Sequence, residues 1–155
     1  MRIVPCTIRE AKKFVREHHR HAPRVTGAIL AIGLEHEHQM IGVGLLGRPS
    51  SRMLDADRFT AEAIRVCVRD GAPKGAGSKL TSRLKRIWQL QGGIWFKTYT
   101  LASESGDSLR GAGAQIDREI KRRKWSCASR PRADREIEGH DKFRWDFGQL
   151  GVIPA

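Results

Sequence analysis

The pattern of apolar and polar positions at the start of the chain predicts a strand followed by a helix. The apolar run Ile3-Val4-Pro5 is typical of a short strand. Thr7 is expected to cap a helix, because Glu10 three residues later completes a capping box. Apolar residues then recur at helical spacing, so one side of this helix should face a core.

Two apolar runs of strand length follow, over 27–34 and 40–47, and a polar turn over 35–39 joins them. This arrangement predicts a β-hairpin, with His36 and His38 in its turn. Both runs are almost continuously hydrophobic. We therefore expect helices to cover both faces of the sheet that contains them.

A glycine-rich stretch lies at the centre of the sequence. Residues 62–69 alternate and are rich in β-branched side chains, which predicts a strand. Residues 70–77 are a glycine-rich turn in which Gly75 and Gly77 are free to take positive φ. Ser78 is expected to cap the following helix, which should end at a pair of glycines, 92–93.

A strand, a glycine loop and a helix N-terminus in this order can form an anion site. Backbone N–H groups converge there, and the helix dipole adds partial positive charge. Lys74 and Lys79 would strengthen this field. The spacing matches neither GxxxxGK[ST] nor GxGxxG. We predict a phosphate or pyrophosphate cradle, and the alternative is an ordinary strand-to-helix turn.

The part of the chain after this helix alternates between short elements and polar turns. Residues 94–101 are predicted to form a strand. Ser105 or Asp107 is expected to cap a short helix over 108–111. Two further elements follow. Residues 116–128 should include a strand around Ile120 and Trp125.

The C-terminal part is polar and ends in a last strand. Residues 129–141 are rich in turn formers. In Phe143–Phe147 aromatic and charged residues alternate, so the three aromatic side chains should share one face.

Composition narrows the class of protein. With 155 residues, the chain is expected to form one domain over 1–155. It contains no apolar run of about 18 residues, so we expect no membrane span. Its three cysteines are widely spaced and form no CxxC pair, which favours a reducing cytoplasm.

The charge is strongly basic. There are 29 Lys and Arg against 17 Asp and Glu, which gives a formal net charge of +12. Such a field attracts polyanions, for example nucleic acid, an acidic cofactor or an acidic protein. The alternative is that the charge only confers solubility.

Three histidines, His18, His19 and His21, lie at the end of the first predicted helix. They could bind a metal or a substrate, but no HExxH-like motif is present. A basic helix end with polar histidines is the preferred interpretation, and no metal site is predicted.

The order of elements resembles the GNAT superfamily of acyl-CoA-dependent N-acyltransferases, in particular its small bacteriophage and prophage members. Residues 62–80 resemble the fourth strand and the pyrophosphate loop of that family. The stretch Thr98-Tyr-Thr-Leu-Ala-Ser-Glu-Ser-Gly-Asp-Ser-Leu-Arg-Gly-Ala-Gly113 resembles its fifth strand and the short helix that follows. Gly75-Ala-Gly77 matches the end of the family loop, whereas Ala72 replaces its leading Gln or Arg.

The resemblance implies an α/β fold with a mixed, mostly antiparallel central sheet, splayed at a cofactor cleft and flanked by helices. It implies acetyl transfer from acetyl-CoA, or from another acyl-CoA, to a primary amine. The cofactor would contact the backbone of the central strand and the loop. The residues concerned are Val66, Cys67, Val68, Lys74, Gly75, Ala76, Gly77, Ser78, Lys79 and Ser103.

The resemblance also guides the choice of catalytic residues. Glu62 is the carboxylate on the central strand best placed to accept the proton of the amine. Leu109 occupies the position of the family's frequent tyrosine acid, so the acid would be Ser108, Tyr99 or water. The alternative for Glu62 is a salt bridge with Arg65 or a solvated strand residue.

Arg65 and Cys67 follow Glu62 on the same predicted strand. Counting along the strand places Arg65 on the face opposite Glu62, unless a bulge intervenes. Cys67 is expected in the core rather than as a nucleophile.

The acceptor has three competing interpretations. The first is an amine on nucleic acid, such as a modified base of phage DNA or the α-amine of an aminoacyl-tRNA, bound by the basic segment 118–142. Trp125 or Trp145 could stack a base. The second is a protein or small-molecule amine, and the third is a non-catalytic nucleic-acid-binding protein. The oligomeric state stays open, a dimer included. The predicted phosphate-binding residues are Lys121, Arg122, Arg123, Lys124, Arg130 and Arg132.

Overall fold

The computed structural model describes residues 1–19, 24–121 and 140–151, which form one seven-stranded sheet with helices on both faces. The strand order is β1-β2-β3-β4-β5-β7-β6, and only the β4–β5 pair is parallel. This is the mixed, mostly antiparallel sheet that the family resemblance implied. The strands are β1 (Arg2–Pro5), β2 (Ala28–His36), β3 (Gln39–Gly47), β4 (Thr60–Val68), β5 (Trp95–Leu101), β6 (Gln115–Ile120) and β7 (Lys142–Asp146).

Four helices lie within the described ranges: α1 (Ile8–His18), α2 (Arg52–Asp55), α3 (Ala76–Leu90) and α4 (Asp107–Arg110). The capping box at the start of α1 is confirmed. The Glu10 amide donates to Thr7 Oγ1 at 3.2 Å, and the Thr7 amide donates to Glu10 Oε2 at 2.8 Å. No helix in these ranges is long and apolar enough to cross a membrane.

The two long helices cover opposite faces of the sheet, as the continuous hydrophobicity of β2 and β3 predicted. Val15 of α1 packs in one cluster with Val43, Leu45 and Cys67, and we call this side the α1 face. On the other side, the α3 face, the α3 residues Leu80 and Leu84 are fully buried. They lie over the glycines of β3: a Cβ added at Gly42 or Gly44 would meet Leu80 Cδ1 at 3.1 Å or Leu84 Cδ1 at 3.0 Å.

The hairpin between β2 and β3 is tighter than the sequence predicted. Its turn consists of Glu37 and His38 alone, with φ of 51° and 62°. Positive φ at both central residues gives the twist that a two-residue hairpin needs. The predicted turn over 35–39 was therefore too long, and His36 belongs to β2, where it pairs with Gln39.

Of the three helix starts assigned to polar caps, that of α1 at Thr7 is confirmed, and those of α3 at Ser78 and of α4 at Ser105 or Asp107 were wrong. The N-cap of α3 is Gly75 at φ 83°, and that of α4 is Gly106 at φ 69°. At each position a glycine in the left-handed region turns the chain into the helix, and the helix therefore starts before the expected Ser78 or after the expected Ser105. Gly77 was expected to be free for positive φ but lies inside the first turn of α3.

The sheet is open between β4 and β5. The two strands pair in parallel only from Thr60–Glu62 to Trp95–Lys97. Beyond that point β4 continues beside β3 as far as Val68, and β5 continues beside β7 as far as Leu101. We call this opening the fork. It confirms the predicted splay, and its closed end is held by a hydrogen bond from Thr98 Oγ1 to Ala63 O at 2.9 Å.

The last strand has one aromatic and one charged face. Trp145 is buried with Leu109 of α4 on the α3 face, and Phe143 and Phe147 pack against the same cluster. The prediction that these three aromatics share a face is confirmed. The alternating residues of β7 consequently point to the α1 face. The predicted strand near Ile120 is β6, whereas Trp125 lies outside the described residues.

Candidate active site

Charged side chains of β5, β6 and β7 form a partly buried ionic network on the α1 face. Lys97 Nζ lies 2.5 Å from Asp146 Oδ2 and 3.7 Å from Asp117 Oδ2. Arg144 binds Asp117 through Nε at 2.6 Å and Nη2 at 2.5 Å. Lys97 is only 8% exposed, and these carboxylates are the ion-pair partners of its ammonium group. The network fixes one wall of the region next to the closed end of the fork.

Glu62 lies at the closed end of the fork and is 7% exposed. Ser50, in the loop after β3, donates to Glu62 Oε2 from its amide at 2.7 Å and from its hydroxyl at 2.9 Å. Burial raises the pKa of the Glu62 carboxyl, although the Ser50 hydrogen bonds and the charges of Arg65 and Lys142 act in the opposite direction. This carboxyl therefore holds its proton to a higher pH than an exposed glutamate.

Tyr99 of β5 lies beside this carboxyl on the α1 face. Burial and the negative charge of Glu62 raise the pKa of the Tyr99 phenol, and interactions with Arg144 and Ser50 partly offset the rise. Glu62 pairs with Lys97, two residues before Tyr99, so the two side chains lie on the same face on either side of the fork. Sequence reasoning missed Ser50, because no local motif connects a loop serine to a carboxylate 12 residues later.

Arg65 lies on the same face as Glu62, because the bulge that the sequence analysis named as the exception to simple alternation is present. Glu62 pairs with Gly47 and Ala63 with Leu46, but Leu45 pairs with Arg65 because the register shifts between Leu45 and Leu46. This bulge inserts one extra residue into β4 and reverses the alternation after it.

The guanidinium of Arg65 has few partners. Its Nη1 lies 3.4 Å from Nε2 of His19, and its buried Nε has no hydrogen-bond partner in the described parts of the chain. No ion pair joins Arg65 to Glu62 or to another carboxylate of those residues, so the salt-bridge alternative is not supported.

Ser108, the other candidate acid, lies elsewhere. Its carbonyl accepts the Ser78 hydroxyl at 2.8 Å, and its Cβ would be 3.1 Å from a Cβ added at Gly77. These contacts are at the first turn of α3, not at Glu62. The next residue, Leu109, is buried against Trp145, so the place of the family's tyrosine belongs to the apolar core.

The first turn of α3 presents two amides that have no partner in the described parts of the chain. The Ala76 amide donates to Pro73 O at 3.3 Å and the Lys79 amide to Gly75 O at 2.8 Å. The amides of Gly77 and Ser78 have no hydrogen-bond partner among residues 1–19, 24–121 and 140–151. Such N–H groups at a helix N-terminus favour an anion.

The side chains predicted to contact a cofactor do not all point towards one place. Lys74 and Ser103 are exposed. Lys79 Nζ points away from the loop and donates to Met1 O at 2.6 Å. Val66 and Val68 pack on the α3 face. The side chain of Cys67 is buried on the α1 face, where burial raises the pKa of its thiol to about 11, which fits a core residue.

The predicted histidine cluster and the predicted phosphate-binding residues have no described contact with Glu62 or Tyr99. His18 contacts the ring of Phe14, with 4.3 Å between ring centroids. In the described ranges no group of three His, Cys, Asp or Glu side chains is arranged to hold a metal ion. Lys121 binds Glu119 and Asp141 at the surface. The other predicted residues, His21, Arg122, Arg123, Lys124, Arg130 and Arg132, lie outside the described residues.

Comparison with known proteins supports the fold through solved structures. No protein-family model matches the sequence, and a search of curated proteins finds no match. Ribosomal-protein-S18-alanine N-acetyltransferase from Escherichia coli superposes with a TM-score of 0.67 and 10% identity, over 99% of this chain and 96% of that chain. An acetyltransferase of the GNAT family from Streptococcus pneumoniae gives 0.58 and 10%, over 79% and 66%. The chain has the GNAT fold.

A third structure of the GNAT fold was determined with ligand. The acetyltransferase of Bacillus subtilis in complex with CoA superposes with a TM-score of 0.57 and 14% identity, over 77% of this chain and 76% of that chain. At identities of 10% to 14%, these similarities concern the fold. The activity must be argued from the site itself.

Proposed function

We propose that this protein is an acyl-CoA-dependent N-acyltransferase that transfers an acetyl group from acetyl-CoA to a primary amine. The observation that carries the proposal is the fork: within the described residues, an unpaired edge of β4 leads towards a helix N-terminus whose Gly77 and Ser78 amides have no partner. An extended ligand with a phosphate end needs these two features. The unpaired edge can bind its amide groups, and the amides of Gly77 and Ser78 can bind its phosphates.

The residues present fit coenzyme A. The backbone of Val66 to Val68 would hold the pantetheine arm, and the amides of Lys74 to Ser78 would hold the pyrophosphate. When bound, acetyl-CoA supplies an acyl thioester whose carbon–sulfur bond breaks as the amide bond forms. The acceptor would approach from the α1 face, where the polar side chains next to the closed end of the fork lie.

On that face Glu62 is the proposed base. Its position beside the fork and its raised pKa suit a group that takes the proton of the attacking amine. Of the two candidate acids, Tyr99 is the proposed one, because it lies on the same face as Glu62, whereas Ser108 lies on α4 and contacts the first turn of α3. Ser50 keeps Glu62 in place through two hydrogen bonds to one carboxylate oxygen.

Two measurements on the wild type and Glu62→Gln test this proposal. Calorimetric titration should show that both proteins bind acetyl-CoA equally. Release of free thiol in the presence of a panel of small amines, peptides and aminoacyl-tRNA should occur with the wild type and be lost in the variant. Absence of acetyl-CoA binding to the wild type would contradict the enzyme assignment and favour a non-catalytic binding protein.

A finer proposal concerns the acceptor, and the net charge of +12 favours nucleic acid. A modified base of phage DNA or an aminoacyl-tRNA would bring phosphates to the basic segment 118–142. If about four phosphates are bound, log K should fall with log salt with a slope of about −3 to −4. A protein or small-molecule amine is the competing acceptor.

A salt series with duplex DNA, single strands and tRNA tests this acceptor proposal. Neutralising Lys121, Arg122 and Arg123 together should flatten the slope and weaken binding to all sequences alike. Acetyl-CoA binding should be retained in the same variant. Binding no tighter than millimolar at low salt would favour the protein or small-molecule amine.

A further inference from the structure

Glu62 and Arg65 are neighbours on the acceptor side of β4. Their partners on β3, Gly47 and Leu45, are two residues apart, although Glu62 and Arg65 are three apart in sequence. Two residues of a strand span about 7 Å, and side chains at that spacing project from the same face. The bulge therefore creates a carboxylate and a guanidinium side by side at the fork.

The two groups differ in how well they are satisfied. One oxygen of Glu62 accepts two hydrogen bonds from Ser50. Arg65 is partly buried, and its Nε has no partner in the described parts of the chain. Burial lowers the pKa of the Arg65 guanidinium, and the negative charges of Cys67, Glu104 and Glu62 act in the opposite direction. A partly buried guanidinium with so few partners is costly to fold, unless it binds a ligand.

This pairing has a direct chemical complement. Arg65 can bind a ligand whose amine is hydrogen-bonded to Glu62 only if that ligand also carries an oxygen close to the amine. In an α-amino acyl group the amine nitrogen and the carbonyl or carboxylate oxygen are about 3 Å apart, within reach of two hydrogen bonds of ordinary length. A simple alkyl amine or the exocyclic amine of a base carries no such oxygen at that position.

We propose that Arg65 binds the carbonyl or carboxylate oxygen of an α-amino acyl acceptor whose amine is held at Glu62. This inference rests on the proposed function, since it names the acceptor class of the same site. Amino acids, peptide N-termini and aminoacyl esters belong to this class. Arg65 is a specificity-determining residue, because it selects the acceptor and takes no proton.

The test compares paired acceptors that differ only in the acyl group: alaninamide with ethylamine, and phenylalaninamide with phenethylamine. For each pair, the preference is the ratio of the two kcat/KM values for acetylation. The amines differ in their own pKa, so the quantity that counts is the change in preference between proteins. The proteins are wild type, Arg65→Met, Arg65→Lys and the matched control Arg86→Met, an exposed arginine of α3 that contacts Gln89.

We expect Arg65→Met to reduce the preference for the amide-bearing partner at least tenfold, Arg65→Lys to retain part of it, and Arg86→Met to leave it unchanged. A preference equal to wild type in folded Arg65→Met would overturn the inference. Thermal unfolding and calorimetric binding of acetyl-CoA check each variant. If the wild type itself does not bind acetyl-CoA, the result would instead contradict the proposed function.

A second readout does not depend on turnover. With CoA present, N-acetylalaninamide should bind to the wild type more tightly than N-ethylacetamide, as measured by line broadening of ligand NMR signals. Arg65→Met should bind both alike. Equal binding of the two ligands to the wild type would also overturn the inference, including when none of the chosen amines is acetylated.

Discussion

Replacing Gly75 or Gly77, the two glycines at the start of α3, should weaken acetyl-CoA binding at least tenfold, about 1.4 kcal/mol. The two positions act through different causes. Gly75 has φ 83° and open space around an added Cβ, so Gly75→Ala strains the backbone by about 1 kcal/mol. A side chain at Gly77 would meet Ser108 Cβ at 3.1 Å, so Gly77→Val should push α4 away from α3.

In both variants the loop can relieve the stress only by moving. Movement turns the amides of Gly77 and Ser78 away from the position in which they can bind phosphate, and the loss of affinity follows from that. Gly92, at the other end of α3, is the matched control. It has φ 85° and open space around an added Cβ, so Gly92→Ala carries the same strain without touching the loop.

Isothermal titration with acetyl-CoA and thermal unfolding are measured on the wild type and the three variants. Together they separate a loss of affinity at the loop from a general loss of stability. Gly75→Ala and Gly92→Ala should lose similar stability, but only the first should lose affinity. Unchanged acetyl-CoA affinity in both loop variants would refute the assignment of this loop as the phosphate site. A similar loss of affinity in Gly92→Ala would show that general strain, and not the loop, is responsible.

Three further predictions concern the sheet. Because burial raises the pKa of Glu62, wild-type stability should fall relative to Glu62→Gln as pH rises from the usual range of a glutamate through that raised pKa; urea unfolding of both proteins between about pH 4 and 8 checks this. Cys67, with a thiol pKa of about 11, should react with iodoacetamide only after denaturation, as peptide mass mapping would reveal. Lys97→Met should destabilise the fold by about 3 kcal/mol in urea unfolding by leaving Asp146 unpaired, and adding Asp146→Asn should restore part of the loss.

The fold was largely predictable because its signals are local. The capping box at Thr7 and the apolar runs of β2 and β3 depend on neighbouring residues. The short parallel pairing of β4 with β5 was expected only through the family resemblance, since no local pattern encodes where two strands separate. Helix starts at Gly75 and Gly106 were missed because a glycine with positive φ replaces the side-chain cap that sequence patterns look for.

The site was less predictable because its contacts join residues that are distant in sequence. Counting along a strand assumes uninterrupted alternation, and the bulge before Arg65 breaks it. Ser50 reaches Glu62 only because β3 and β4 are paired. One signal was available: if the aromatics of Phe143–Phe147 share a face, Arg144 and Asp146 must share the other. That alternation could have predicted the ionic network with Lys97. The resemblance to small phage members, and the roles of the site residues, stay predictions.

The fork has a mechanical consequence. We call strands β1 to β4 one panel of the sheet and strands β5 to β7 the other. The panels are joined by three residue pairs, by the hydrogen bond from Thr98 to Ala63 and by that from the Trp95 amide to Phe59, all close to the closed end of the fork. A ligand that forms hydrogen bonds with both strand edges of the fork would link the two panels for as long as it is bound. At 100 times its Kd, such a molecule adds about 2.7 kcal/mol to the free energy of unfolding. In a hydrogen-exchange experiment, binding of this ligand should slow the exchange of backbone amides in both panels, including amides far from the ligand.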